Sequence, residues 1–205
     1  MRVRVLTGRE EAQLGAQAAL QRLPIREGAV LDLGGGSLQV SRVRDGQPVG
    51  STSLPLGAVR MTRAFLREDP PTPRQLRVLR RRVRECLLGA LPPARPDAQL
   101  IGLGGTVRAL ARMHLARHPG TRKSRHGLKL RQSDVIAIRE RIEGLSLRDR
   151  RRLPGLKAER ADIILAGAIV IEELMVFGGY LSITVATVGV RDGLLLRETF
   201  NGTGS

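Results

Sequence analysis

A carboxylate followed by three consecutive glycines, Asp32-Leu33-Gly34-Gly35-Gly36-Ser37, constrains this chain more than any other segment. The apolar run Ala29-Val30-Leu31 before it predicts a buried strand, and the glycines predict a tight turn. Such a turn exposes backbone N–H groups in a concave array that binds anions. Asp32, at the strand end, is placed to hold a metal ion or its bound water. The plainer alternative is a hairpin turn without a ligand. A P-loop would continue into Lys-Ser/Thr and a helix. Here Leu38 to Val43 has strand character, and Asp45-Gly46 turns the chain into a further strand, Gln47 to Leu54. The glycines therefore join two antiparallel strands.

Around this meander the pattern is mixed. Arg2 to Leu6 alternates like a strand, and Glu10 to Leu23 reads as a helix closed by Pro24. A helix begins at Leu56 to Thr62, before the prolines at 70, 71 and 73. Leu76, Leu79, Val83 and Cys86 recur at helical spacing, and Pro92, Pro93 and Pro96 end that segment. Gln99 to Gly102 is a short strand feeding a helix through Leu115. Ser133 caps a helix with the stripe Val135, Ile138, Ile142 and Leu145, and Ser146 with Asp149 forms a capping box. Arg160 to Phe177 reads as a buried helix, Ser182 to Val188 as a strand, and Gly189 to Arg197 as a closing helix. The expected fold is α/β, with a mixed five-stranded sheet that contains a three-strand antiparallel meander and packs against helices. It resembles a ribonuclease-H-like lobe of the actin-like ATPase type.

The 205 residues suffice for one core or for one lobe of a larger enzyme. A formal net charge of +16 favours polyanionic partners. Of 35 basic residues three are lysine, which leaves 32 arginines. Arginines 74, 77, 80, 81, 82 and 84 surround the stripe ending at Cys86; a solvated helix face is expected there, against a nucleic-acid surface. Cys86 is the single cysteine, which predicts a reducing, cytoplasmic setting and a core position. The start carries no secretory pattern, and the apolar run Ile163 to Ile171 is too short to span a bilayer. No membrane partner is expected.

Further candidates surround the first turn. Gly102-Leu103-Gly104-Gly105-Thr106 lies at a strand-to-helix junction, with Thr106 as the expected N-cap and the helix end as an anion site. Glu10 and Glu11 open the first helix; a carboxylate there either activates water or simply complements the helix dipole. His114 and His118 stand four apart, but no third ligand at suitable spacing supports a zinc site.

Four segments carry a family resemblance: Leu6 to Leu14, Leu31 to Ser37 with Ser53 to Thr62, Gly102 to Leu110, and Arg160 to Leu174. Leu153 to Leu156 and Gly189 to Leu195 fit as well. The chain resembles the exopolyphosphatase and guanosine pentaphosphate phosphohydrolase family. That resemblance implies two lobes enclosing a phosphate cleft, and magnesium-dependent (Mg2+) removal of terminal phosphate from polyphosphate or guanosine pentaphosphate. By position it implies Glu11 as the catalytic carboxylate and Asp32 at the metal. It further implies Gly34, Gly35, Gly36 and Ser37 as a phosphate loop, with Gly104, Gly105 and Thr106 as a second phosphate-binding turn.

Two departures from the family pattern stand out. The upstream lobe with its Asp-Xaa-Gly-Ser-Asn loop is absent from this chain, and Gln39 replaces the usual glutamate. Residues 1–27 are accordingly expected to form a junction with a missing N-terminal lobe supplied in cis or in trans. Residues 28–198 are expected to be the second ribonuclease-H-like lobe, and 199–205 a flexible tail. A homodimer is left open. Two further functions are also left open: a polyphosphate- or alarmone-binding module without catalysis, and a basic nucleic-acid-binding domain.

Overall fold

A computed structural model describes residues 6–88, 90–91, 97–120 and 124–201, with side chains up to 195. The expected strand over Arg2–Val5, the stops at Pro92, Pro93 and Pro96, and tail residues 202–205 lie outside the described residues. The meander forms as expected: β1 (Gly28–Leu33), β2 (Leu38–Arg44) and β3 (Gln47–Leu54) pair antiparallel. To the other side of β1 lies β4 (Gln99–Leu103), parallel to it. Next comes β6 (Ser182–Val185), parallel to β4, and last β5 (Lys129–Arg131), antiparallel to β6. The order is β3-β2-β1-β4-β6-β5, so the sheet has six strands and not five. The added strand β5 has three residues, too few to show a period of two. β6 also stops at Val185, short of the expected Val188.

Strand alternation sorts the sheet into two faces. Ala29, Leu31, Leu33, Leu38 and Val40 point into the larger core. Helices α2 (Ala58–Phe65), α3 (Pro73–Leu88), α4 (Gly104–Arg117), α5 (Gln132–Glu143) and α7 (Ile164–Gly178) contribute to that side, with the short α6 (Leu147–Arg150) beside Asp69. Val30, Val43, Ile101 and Leu103 point the other way, onto Ala16 and Ala19 of α1 (Gly8–Arg22). Helix α8 (Val190–Asn201) packs beside α1, where Gly193 lies against the Leu14 carbonyl. The Ser41 hydroxyl donates to the Ala12 carbonyl at 3.1 Å and ties α1 to β2.

Helix α7 begins at Ile164, after a 3-10 turn over Ala158–Arg160, and is apolar around most of its circumference. It carries two adjacent buried acids, Glu172 and Glu173. Arg139 of α5 reaches Glu172 at 2.8 Å, Arg84 of α3 reaches Glu173 at 2.6 Å, and Arg80 touches both. The expected solvated face of α3 is thus corrected at Arg80 and Arg84, which turn toward α7 because unpaired buried carboxylates are costly. Arg74 and Arg77 remain exposed. Cys86 is half-buried against the core.

Among the described residues no helix is long and apolar enough to cross a membrane. The double variant Arg80→Ala/Arg84→Ala leaves the buried Glu173 carboxylate without either cation and should lower unfolding free energy by about 3–5 kcal/mol. Removing the exposed Glu85, whose ion pair with Arg81 spans 3.7 Å, should change it by about 0.5 kcal/mol or less. Urea denaturation of both variants checks this, and equal losses would contradict the assigned role of the cluster.

Candidate functional site

The same alternation that builds the core puts Asp32 on the α1 face. Leu31 and Leu33 point into the large core, so Asp32 between them points away from it. Its direct cross-strand partner is Gln39. Helix α1 passes over this pair: the Gly15 Cα would place a Cβ 4.0 Å from Asp32 Oδ2. The first turn of α1 then separates the two candidate acids. Thr7 caps the helix, accepting from the Glu10 N–H at 3.2 Å, while the Glu10 carboxylate accepts from the Thr7 N–H at 2.8 Å. Glu10 is therefore the capping-box residue. Glu11 faces the sheet and accepts from Gln39 Nε2 at 3.3 Å.

Gln39 is buried, and the same Nε2 also donates to Ser37 Oγ at 2.8 Å. One amide thus joins the helix carboxylate to the hydroxyl at the exit of the glycine turn. Gln39, where the family pattern has glutamate, turns its NH2 group toward the site.

The glycine turn is held from behind. The Gly34 N–H donates to the Ser37 carbonyl at 3.0 Å and closes the loop. The Ala58 and Arg60 N–H groups, at the start of α2, donate to the Gly34 and Gly35 carbonyls, and Arg60 Nε donates to the Gly36 carbonyl at 2.9 Å. Gly57 approaches so closely that a Cβ there would overlap the Gly35–Ser37 backbone. With its carbonyls so engaged, the loop leaves the N–H groups of Gly35, Gly36 and Ser37 without an acceptor among the described residues. None of Gly34, Gly35 and Gly36 has positive φ. What they supply is an absent Cβ, and hence close approach to the backbone.

The second glycine turn abuts the first, because β4 neighbours β1 and Leu103 pairs with Asp32. Gly104 has φ +91°, and a Cβ there would fall 2.7 Å from Asp32 Oδ1. The helix starts earlier than expected: the N-cap is Leu103, without a side-chain cap. Thr106 is corrected from N-cap to a buried position inside α4, where its side chain packs on Gly167 of α7. The first-turn N–H groups of Gly104, Gly105 and Thr106 have no intrahelical acceptor.

Burial pushes the Asp32 carboxyl above its ordinary range; the positive charge of Arg108 opposes the rise and the charge of Glu11 adds to it. Among the described residues no cluster of three or more His, Cys, Asp and Glu side chains is suited to a metal. His114 and His118 stack with ring centroids 4.5 Å apart. The carboxylates of Asp32 and Glu11 with the Ser37 hydroxyl are nevertheless hard oxygen donors. They fit magnesium, which keeps several waters and takes one or two carboxylates.

A family model described as the Ppx/GppA phosphatase family matches residues 1–201. An uncharacterized protein of Streptomyces coelicolor is 38% identical over 205 residues, covering 96% of this chain and 60% of that protein. Exopolyphosphatase 2 of Mycobacterium tuberculosis is 34% identical over 213 residues, covering 94% and 62%. The crystal structure of the Aquifex aeolicus Ppx/GppA family member superposes with a TM-score of 0.90 at 26% identity, covering all of this chain and 67% of that one. The chain therefore spans about three-fifths of the length of these curated relatives.

Because burial raises the Asp32 pKa, the folded state disfavours its charged form. The unfolded chain releases this proton first, so stability falls as pH rises from the unfolded value near 3.8 through the higher folded value. Asp32→Asn should accordingly raise the melting temperature at neutral pH. That gain should vanish below the unfolded carboxylate range, as thermal melts across pH in metal-free buffer will record.

Proposed function

The chain belongs to the Ppx/GppA phosphatase family, and from that premise we propose that it carries the catalytic carboxylate of a phosphoanhydride hydrolase. The reaction is release of terminal phosphate from polyphosphate or guanosine pentaphosphate. One observation carries the reading: Gln39 holds Glu11 and Ser37 together beside Asp32, against a loop with free N–H groups.

Glu11 orients water and accepts its proton. The water oxygen bonds to the terminal phosphorus as the terminal anhydride bond breaks, and the electron pair leaves on the shortened chain. The N–H groups of Gly35, Gly36 and Ser37 stabilise charge on the transferring oxygens, and those of Gly104, Gly105 and Thr106 receive the same substrate from the other side. Asp32, with Glu11 and Ser37 nearby, would hold magnesium, whose positive charge would offset the negative charge of the phosphoryl oxygens. A partner lobe, in cis or in trans, would close over the exposed glycine loop; a homodimer is one way to supply other parts of the cleft. The lone Cys86 suits a cytoplasmic setting.

A non-catalytic polyphosphate- or alarmone-binding module is the second reading, favoured by the neutral amide of Gln39 beside Glu11. The nucleic-acid reading has less support, because Arg80 and Arg84 are engaged by Glu172 and Glu173. With the chain joined to an upstream lobe, Glu11→Gln should cut magnesium-dependent phosphate release by roughly 10²–10⁴-fold. Colorimetric phosphate release from both substrates measures it. Unchanged turnover removes Glu11 from the mechanism, and binding without release in the unaltered protein favours the second reading.

A further inference from the structure

At the opposite end of β1 from Asp32, a cavity of about 340 Å³ opens on the large-core side of the sheet. Gly28 lines it, so it lies roughly 13 Å along the strand from the carboxylate face. Ala29, Val40 and Leu174 form its buried floor, with the half-buried rings of Phe177 and Tyr180 beside them. The exposed Arg42, Arg44 and Val49 stand at the rim, and Glu27 is the only acid in the wall. An apolar floor with a few polar groups at its edge is the usual build of a small-molecule site.

The polar groups of this cavity lack partners. The left-handed Gly179, φ +72°, ends α7 and turns the Tyr180 N–H back onto the Met175 carbonyl at 2.9 Å. The Tyr180 ring then lies over Gly178, where a Cβ would overlap it. Its hydroxyl forms no hydrogen bond among the described residues, and burial raises its pKa, so it remains a donor at neutral pH. The register of β2 against β3 shifts between Arg42 and Val43, and such a bulge re-aims side chains. The consecutive residues Arg42, Val43 and Arg44 all line the cavity. The Arg42 guanidinium lies across Gly50, its cross-strand partner. Neither Arg42 nor Arg44 forms an ion pair among the described residues. Glu27 accepts from the Asp45 N–H at 3.4 Å.

Two cations against one acid leave a single positive charge at the rim, which suits a monoanion. A bare anion would leave the apolar floor in water, and a neutral hydrocarbon would leave the guanidinium groups unmatched. We propose that this cavity is a second ligand site, for a small carboxylic acid with an apolar body. Its carboxylate accepts from Arg42 and Arg44, its body covers Val40, Leu174 and Phe177, and Tyr180 closes the side. No part of this assignment depends on the proposed phosphatase function.

Tyr180 is the single tyrosine and the chain has no tryptophan, so tyrosine emission reports this cavity alone. The test is titration of the whole chain with octanoate, 1-octanol and acetate, read by tyrosine emission and by calorimetry. Octanoate should change the emission saturably, raise the melting temperature, and bind about ten-fold or more tightly than either control. The double variant Arg42→Gln/Arg44→Gln alters exposed side chains and should keep the melting temperature of the free chain. It should weaken octanoate binding about ten-fold or more and leave 1-octanol within about two-fold. Arg74→Gln/Arg77→Gln removes the same charge from the exposed face of α3 and should leave octanoate affinity within about two-fold.

Octanoate binding that shifts the emission and needs the two arginines supports the site. Equal affinity for 1-octanol overturns it by removing the role of the carboxylate, and equal affinity for acetate by removing that of the apolar body. Binding without a change in emission lies elsewhere on the molecule and overturns it. So do equal weakening by the α3 control, a melting temperature lowered by octanoate, and no binding by the unaltered chain.

Discussion

Two adjacent carboxylates buried in the middle of an apolar helix set how the rest of this domain packs. Neighbouring helical residues point about 100° apart, so Glu172 and Glu173 face different directions and between them engage both α3 and α5. Arg139 meets Glu172 from α5, Arg84 meets Glu173 from α3, and Arg80 bridges the pair. Burying both acids without these partners would cost several kcal/mol each. The cluster thereby fixes the rotation and axial position of α7 at once. Gly167, five residues before Glu172, then lies under Thr106 and seats the start of α4. The start of α4 carries Gly104 onto Asp32. A salt-bridge network on the far side of the sheet from α1 thus determines how closely the two glycine turns approach.

On the other face the determinant is strand parity. With Leu31 and Leu33 committed to the large core, Asp32 has only the α1 side to point toward, and Gln39 follows as its cross-strand partner. Helix α1 is small enough to lie close: Ala12, Gly15, Ala16 and Ala19 are buried, and Ser41 anchors the Ala12 carbonyl. Small side chains on that stripe bring the first turn, and with it Glu11, down to the sheet. A bulkier stripe would lift the carboxylate beyond the reach of Gln39.

Much of this was legible in the residues. The strand, glycine turn and strand of the meander followed from alternation and from the missing Lys-Ser/Thr, and the two turns share one edge of the sheet because β1 and β4 are neighbours. The residues also carried an unused sign that separates Glu10 from Glu11, since Thr7-Xaa-Xaa-Glu10 is a capping-box pattern. The partners of Arg80 and Arg84 were not. They lie some 90 residues away in the chain, and a cationic helix face looks alike whether it meets water or buried acids. β5 escaped notice because three residues carry no periodicity. Thr106 looked like a cap by residue type, but the left-handed Gly104 starts the helix sooner and leaves Thr106 to pack on Gly167.

The electrostatic state of the site follows from these two constraints together. On the α1 face, burial raises the Asp32 pKa, and the charge of the nearby Glu11 adds to the rise. Two turns into α4, burial lowers the pKa of Arg112, and the like charges of Arg125, Arg160 and Arg108 add to the fall. Only Arg108 acts across the gap onto Asp32, so the clusters do not neutralise each other despite being adjacent. The backbone separates them: the Gly104 turn and the free N–H groups of α4 lie between, and these are themselves positive.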